Sequence, residues 1–173
     1  MTQVVASKIP AEGLPLSFTE DPAALGVAVL GARFLQPLSV EVRLSKAGNA
    51  VTVTGKIAVP VAFECARCLR EFPAPLDIPV ASKFLPSSPS LAPGHHPMPE
   101  NEAEDYYYQD DIVALDDLVR QEVLLALPFS PQCRPECRGL CGQCGQDLNV
   151  GTCTCAPPPD PRLAVLREYL KKQ

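Results

Sequence analysis

The first half of the chain alternates apolar and polar positions in the way that half-buried β-strands do. Every second residue is apolar in "LSVEVRL" (38–44), in most of "VTVTGKIAVPVAFEC" (51–65) and, except at Ser82, again in "LDIPVASKF" (76–84). A period of two places these residues on one face of a strand. Between the first two runs, Gly48 and Asn49 tolerate positive φ and indicate a hairpin turn. The pattern predicts an antiparallel sheet of four or five strands.

Two residues interrupt the second run, and a segment upstream is expected to add a strand to the sheet. Gly55 predicts a bulge or bend, because glycine inside a strand often marks one. Pro60 cannot donate to a ladder and favours an edge position or a break between two strands. Upstream, "LGVAVLGARF" (25–34) is expected to contribute one more strand.

The period changes to that of a helix in "ALDDLVRQEVLLALPF" (114–129). Apolar residues recur near a 3.6-residue spacing, and Asp116 and Asp117 suit the positive end of a helix dipole. Pro128 ends the pattern. We therefore predict a helix over 115–127 that packs on the sheet.

Prolines delimit the remaining segments. "LPSSPSLAPGHHPMP" (85–99) lacks the backbone donors that regular structure needs, and a flexible insertion is expected over about 85–111, with His95 and His96 exposed in it. Near the end, Asp160 and Pro161 suit the start of a short terminal helix. The predicted class is α+β: an α+β core domain over 1–132 and a cysteine-rich zinc module with a short C-terminal helix over 133–173.

Charge is concentrated in one segment. The net charge is −5, and residues 100–111 carry six carboxylates with no Lys or Arg, so the rest of the chain is close to neutral. This balance excludes a strongly basic nucleic-acid binder. The acidic segment either solubilises the chain or contacts a basic partner. No signal-peptide or membrane-span pattern occurs in the sequence, which predicts a cytoplasmic protein without membrane contact.

The cysteines carry the candidate chemistry. Six of the eight lie within 23 residues of one another, and two more form a Cys-x-x-Cys pair. Thiols stay reduced in the cytosol, so this count favours metal over disulfides. A Cys-x-x-Cys-Gly turn suits a zinc knuckle, since glycine permits the left-handed turn conformation. The candidate metal ligands are Cys65, Cys68, Cys133, Cys137, Cys141, Cys144, Cys153 and Cys155.

The sequence leaves the ligand sets open. Cys141 and Cys144 need two further ligands, which either the pair Cys133 and Cys137 or the pair Cys153 and Cys155 can supply. Eight thiols suffice for two four-thiolate sites, while a mixed site of Cys65, Cys68, Cys141 and Cys144 is an alternative. One or two Zn²⁺ ions are expected; iron–sulfur ligation is a second possibility on ligand type.

No catalytic arrangement accompanies these thiols. The sequence has no phosphate-binding glycine loop, no metal-binding His pair on a helix and no serine nucleophile signature, so neither an enzyme nor a small-molecule substrate is expected. The alternative function is thiol redox or metal handling by Cys65 and Cys68, with Arg67 able to lower a thiol pKa. That pair is followed by a strand pattern, whereas a thioredoxin-like motif opens a helix.

Several motifs together are similar to one family. "CARCL", "LALPFSPQC", "CRGLCGQCGQDLN", "CTC" and "DPRLAVL" occur in an order that resembles the YceD family of bacterial and plastid proteins, from about Gly26 to Leu170. The resemblance implies a non-enzymatic role in 23S ribosomal RNA accumulation and large-subunit biogenesis. The implied partners are ribosomal RNA or a large-subunit ribosomal protein.

Four arginines and one asparagine have further candidate roles. Guanidinium groups pair with phosphate oxygens without reading sequence, and the candidates for RNA contact are Arg67, Arg134, Arg138 and Arg162. The amide of Asn149 is expected to satisfy backbone groups of the knuckle.

Overall fold

A computed structural model describes residues 2–87 and 105–156 of the chain. They fall into two compact units. Among the described residues, the core unit comprises 2–63, 72–87 and 105–129, and the cysteine unit comprises Glu64–Glu71 together with residues 130–156. This division groups Glu64–Glu71 with the C-terminal cysteines, and the domain boundary at residue 132 stays a prediction.

The elements of the described chain are eight strands, a short 3₁₀ turn at Ala6–Lys8 and an α-helix. The strands are β1 (Gln3–Val5), β2 (Leu14–Glu20), β3 (Ala32–Phe34), β4 (Leu38–Ala47), β5 (Ala50–Glu64), β6 (Glu71–Pro86), β7 (Tyr106–Tyr108) and β8 (Ile112–Ala114), and the helix is α1 (Leu115–Ala126). The predicted strands over 38–44, 51–65 and 76–84 are therefore confirmed, as is the helix. Within 25–34 only the last three residues form a strand.

The main sheet of the described residues has six strands, in the order β2-β4-β5-β6-β7 with β3 also paired to β5. Strand β4 runs antiparallel to both β2 and β5, and β3 runs antiparallel to β5, whereas β7 pairs with β6 in parallel. The sheet is thus mixed, which corrects the expectation of a purely antiparallel one. A long connection separates β6 from β7, so the chain can return in the same direction.

Strand β7 lies within the segment of about 85–111 for which a flexible insertion is predicted. Its three tyrosines suit a pleated surface, and the ring of Tyr106 stacks on Phe84 with centroids 5.0 Å apart. Leu85 and Pro86 likewise belong to β6. His95, His96 and the predicted C-terminal helix lie outside the described residues.

The predicted bulge at Gly55 is wrong, because the β4–β5 register is unbroken from Ser39↔Ala58 to Ala47↔Ala50. A Cβ atom at Gly55 would clash with the carbonyl oxygen of Glu41, so glycine permits close approach of β4. The predicted break at Pro60 is also wrong, since β5 is continuous there. Pro60 lies between the residues paired with β4 and those paired with β3, where a missing donor disturbs neither ladder.

The core unit has one apolar core between the sheet and α1. One face of the helix is buried through Leu115, Leu118, Val119 and Val123. These side chains pack against the alternating aliphatic residues of β4 and β5, which are also buried. A second, two-stranded sheet of β1 and β8 adds Val4 and Val113 to the same core.

Candidate metal centres

Four cysteines from distant parts of the sequence form the first thiol group: Cys65, Cys68, Cys133 and Cys137. Their sulfur atoms all lie within 4.8 Å of one another. Cys65 Sγ is 3.8 Å from Cys137 Sγ, and Cys68 Sγ is 3.8 Å from Cys133 Sγ. Three of the four are buried, and Cys133 is half-buried.

These spacings fit a tetrahedral metal site. Zinc–thiolate bonds are about 2.3 Å long, and sulfurs at the corners of such a tetrahedron lie about 3.8 Å apart. A disulfide would instead need a sulfur–sulfur distance of about 2 Å. The first thiol group therefore has the donor atoms and the size that one zinc-like ion requires.

Backbone hydrogen bonds hold the first thiol group together. The turn between β5 and β6 is closed by the Leu69 N–H donating to the Cys65 carbonyl at 2.9 Å, with Leu69 in the left-handed region at φ 58°. The Ala66 N–H donates to the Pro131 carbonyl at 2.8 Å. The latter bond brings the turn beside the segment that carries Cys133.

The second thiol group consists of Cys141, Cys144, Cys153 and Cys155, again with all sulfurs within 4.8 Å. Its knuckle is a tight turn, in which the Gly145 N–H donates to the Cys141 carbonyl at 2.9 Å and Gly145 has φ 72°. Cys144 and Cys155 are exposed. Of the sequence alternatives, the described structure forms two separate groups of four, and the mixed group of Cys65, Cys68, Cys141 and Cys144 is not formed.

The thiols within each group differ in acidity. Burial raises the pKa of Cys65, but N–H donors of Cys133, Cys68 and Arg67 outweigh burial and lower the pKa to about 6. Burial and the neighbouring thiols raise the pKa of Cys133 to about 12.

The second thiol group shows the same division. N–H groups of Cys144 and Gln143 lower the pKa of Cys141 to about 6. The hydrogen bond with the Cys144 thiol raises the pKa of Cys155 to about 12. Several thiolates so close together repel one another unless a cation lies between them.

Two residues that the sequence reasoning did not single out belong to this unit. Arg70 Nη2 donates to Asp147 Oδ2 at 2.8 Å, and Asp147 Oδ1 accepts from the backbone N–H of Asn149 at 2.8 Å. Hydrogen bonds from Asn149 and Arg70 lower the pKa of Asp147. The Asp-x-Asn spacing in "GQDLN" was the available signal, because Asp commonly bonds the backbone two residues on.

The candidate RNA-contact arginines have mixed surroundings. Arg67 Nη1 donates to the Cys137 carbonyl at 2.9 Å, and Arg134 Nη2 donates to Asn149 Oδ1 at 2.9 Å. Arg138 is exposed and Arg162 lies outside the described residues. The described part of the cysteine unit has four arginines and four carboxylates, so it carries no net positive charge.

Carboxylates of the acidic segment that the structure describes make contacts inside the core unit. Asp111 accepts from the Ser7 N–H at 3.0 Å, and Asp105 lies 3.6 Å from Lys83 Nζ. Residues 100–104 lie outside the described residues. In the described part of the chain, no helix has the length and apolar character needed to cross a membrane.

Comparison with known proteins decides the family. Residues 53–170 match the family model described as "Large ribosomal RNA subunit accumulation protein YceD". The chain belongs to the YceD family. This membership confirms the resemblance found in the motifs, and the family name refers to accumulation of the large-subunit ribosomal RNA.

Relatives in the family come from several bacteria. An uncharacterized protein of Mycobacterium tuberculosis (strain ATCC 25618 / H37Rv) is 35% identical over 151 residues, which cover 86% of this chain and 70% of the relative. The uncharacterized protein YlbN of Bacillus subtilis (strain 168) is 26% identical over 81% of this chain and 78% of its own. No solved structure matches the chain.

Proposed function

We propose that this YceD-family protein is a non-enzymatic bacterial factor for the accumulation, processing or stability of 23S ribosomal RNA in large-subunit biogenesis. The family match over residues 53–170 supports this role. Both thiol groups consist of four cysteines, without the water-binding open position that catalytic zinc sites keep. The partner in this proposal is ribosomal RNA or a large-subunit ribosomal protein, reached in the cytoplasm.

We further propose that each thiol group holds one zinc ion. The carrying observation is that the buried side chains of the cysteine unit, among its described residues, are Cys65, Cys68 and Cys137. A unit this small without an apolar core needs another source of stability. A bound zinc ion supplies a four-way crosslink between its ligands.

The same arrangement argues against the redox alternative. Cys65 and Cys68 each have a sulfur neighbour from the 133–137 segment at 3.8 Å, and both are buried. A redox pair needs an accessible attacking thiolate. Zinc analysis separates the two roles: two zinc ions per chain support the proposal, and a metal-free protein with a reversible Cys65–Cys68 disulfide contradicts it. Iron with acid-labile sulfide would point to a cluster instead.

Cell depletion tests the ribosomal role. We expect depletion to lower the ratio of mature 23S to 16S ribosomal RNA, and wild-type protein to restore it. The variant C65S/C68S should fail to restore the ratio, because it removes half of the first thiol group. Gly142→Ala, at an open position in the knuckle, is the control and should restore it. An unchanged ratio after depletion would refute the proposal.

An RNA-binding assay together with a ribosome gradient then identifies the partner. If RNA is the partner, purified protein should bind 23S fragments with an affinity that falls with salt, and Arg138→Ala should weaken that binding. If a ribosomal protein is the partner, the protein should travel with large-subunit precursors while naked RNA fragments fail to bind.

A further inference from the structure

The loop Gly145–Thr152 belongs to the second thiol group by sequence, because it joins Cys144 to Cys153. Its contacts, however, reach the first thiol group. The Leu148 N–H donates to the Gly139 carbonyl at 2.9 Å, and Asp147 forms a β-bridge with Leu140. Gly139 and Leu140 lie between Cys137 of the first thiol group and Cys141 of the second. The loop is therefore laid along the segment that joins the two thiol groups.

Asn149 makes the contact with a sulfur atom. Its Nδ2 group lies 3.5 Å from Cys137 Sγ and 2.7 Å from Asp147 Oδ1, to which it donates. Its Oδ1 atom accepts from the Arg138 N–H at 2.9 Å and from Arg134 Nη2 at 2.9 Å. Only an amide offers two donors and an acceptor at these positions.

Asp147 holds that amide in place and adds a second link. It accepts from Asn149 through Oδ1 and from Arg70 through Oδ2. Arg70 lies two residues after Cys68. One loop of the second thiol group is thus tied to both halves of the first thiol group, at Cys137 and beside Cys68.

We propose that Asn149, oriented by Asp147, couples the two metal sites, so that zinc at either site strengthens zinc binding at the other. This inference rests on the proposed zinc ligation. Zinc held by Cys144 and Cys153 fixes both ends of the loop, which places the Asn149 N–H on Cys137 Sγ. Hydrogen bonds to a ligand atom of this kind typically change metal affinity about 10–100-fold. Coupling between binding sites is reciprocal.

Pulsed alkylation of the full chain in zinc buffers can read each site separately. The free zinc concentration that half-protects Cys65 and Cys68 reports the first site, while protection of Cys141 and Cys153 reports the second. In the otherwise wild-type chain, the double substitution C144S/C155S should raise the free zinc concentration that half-protects the first site about tenfold. In an Asn149→Ala background the first site should already be weaker, and C144S/C155S should add no further loss.

Two other variants complete the design. Asp147→Asn keeps the shape of the side chain but loses the ion pair with Arg70. In this background C144S/C155S should weaken the first site by less than it does in the wild-type chain. Gln146→Ala is the matched control, because the Gln146 side chain donates within the loop, to the Thr152 carbonyl at 3.3 Å; this variant should behave as wild type.

The outcomes separate the two proposals. If C144S/C155S leaves the first site unchanged, or weakens it equally with and without Asn149, the coupling is refuted while the zinc sites stand. If wild-type protein binds no zinc, the proposed ligation itself fails.

Discussion

The backbone conformation of the segment between the two thiol groups depends on Gly139. Its φ is +73°, and a Cβ atom there would lie 2.9 Å from the Arg67 carbonyl oxygen. That same carbonyl accepts the Leu140 N–H at 3.1 Å. The glycine therefore permits both the left-handed turn and the close approach that this hydrogen bond needs.

Replacing Gly139 with alanine should destabilise the cysteine unit. The left-handed conformation costs an L-residue about 1–2 kcal/mol, and the contact with Arg67 adds to that cost. We expect Gly139→Ala to lose zinc at a lower chelator concentration than wild type. Gly142→Ala is the matched control, since nothing lies within 4 Å of its Cβ position. Equal zinc retention by the two variants would contradict this account.

Exposure should also set the order in which the thiols react. Cys144 and Cys155 are exposed, whereas Cys65, Cys68 and Cys137 are buried. During slow zinc removal, an alkylating reagent should modify Cys144 and Cys155 before the buried three, as measured by peptide mass spectrometry. Simultaneous modification of all eight cysteines would show that burial does not govern access.

At the scale of elements, helix α1 is stabilised by one face only. Leu118 is 1% exposed and contributes to the core, while Leu125 on the same helix is 81% exposed. The helix ends before Pro128 because a residue that precedes proline is disfavoured in the helical region; Leu127 has ψ 126°.

A pair of substitutions tests this one-sided packing. Leu118→Ala should lower the free energy of unfolding by about 2–5 kcal/mol, because it leaves a cavity against the sheet. Leu125→Ala should change it by no more than about 0.5 kcal/mol. Denaturant unfolding followed by circular dichroism gives both values. Comparable losses would mean that the exposed face of α1 also supports the fold.

With the proposed zinc ions bound, the whole molecule has two sources of stability. The core unit buries a continuous set of aliphatic side chains, whereas the buried side chains among the described residues of the cysteine unit are cysteines. Hydrophobic burial does not depend on metal, but ligation by thiolates does. The two units should therefore respond differently to a chelator.

Chelation followed by hydrogen exchange measures that difference. With zinc removed, amides of residues 64–71 and 130–156 should exchange much faster, while those of β4, β5 and α1 should keep their protection. Re-addition of zinc should restore the slow rates. If the sheet and helix also lost protection, the two units would form one cooperative structure and the division of stabilities would be wrong.

The three long strands and the helix could be predicted because their signal is local. The alternation in 38–44 and the spacing in 115–127 reflect which side of each element is buried, and near neighbours in sequence carry that information. Short strands such as β1, β7 and β8 were missed, since three residues offer too little periodicity. Gly55 was misread because a bulge and a close approach of β4 require the same residue type.

The donor chemistry can be read from the sequence: eight thiols in two Cys-x-x-Cys pairs and two further pairs, suited to metal. Which thiols meet depends on the tertiary fold. Cys68 and Cys133 are 65 positions apart, and no periodicity spans that distance, so their proximity follows from how the turn between β5 and β6 bonds to Pro131. Asn149 shows the same limit of prediction from sequence. Its motif marked it as a partner of the knuckle backbone, but its bond to Cys137 exists because the fold lays one loop beside another thiol group.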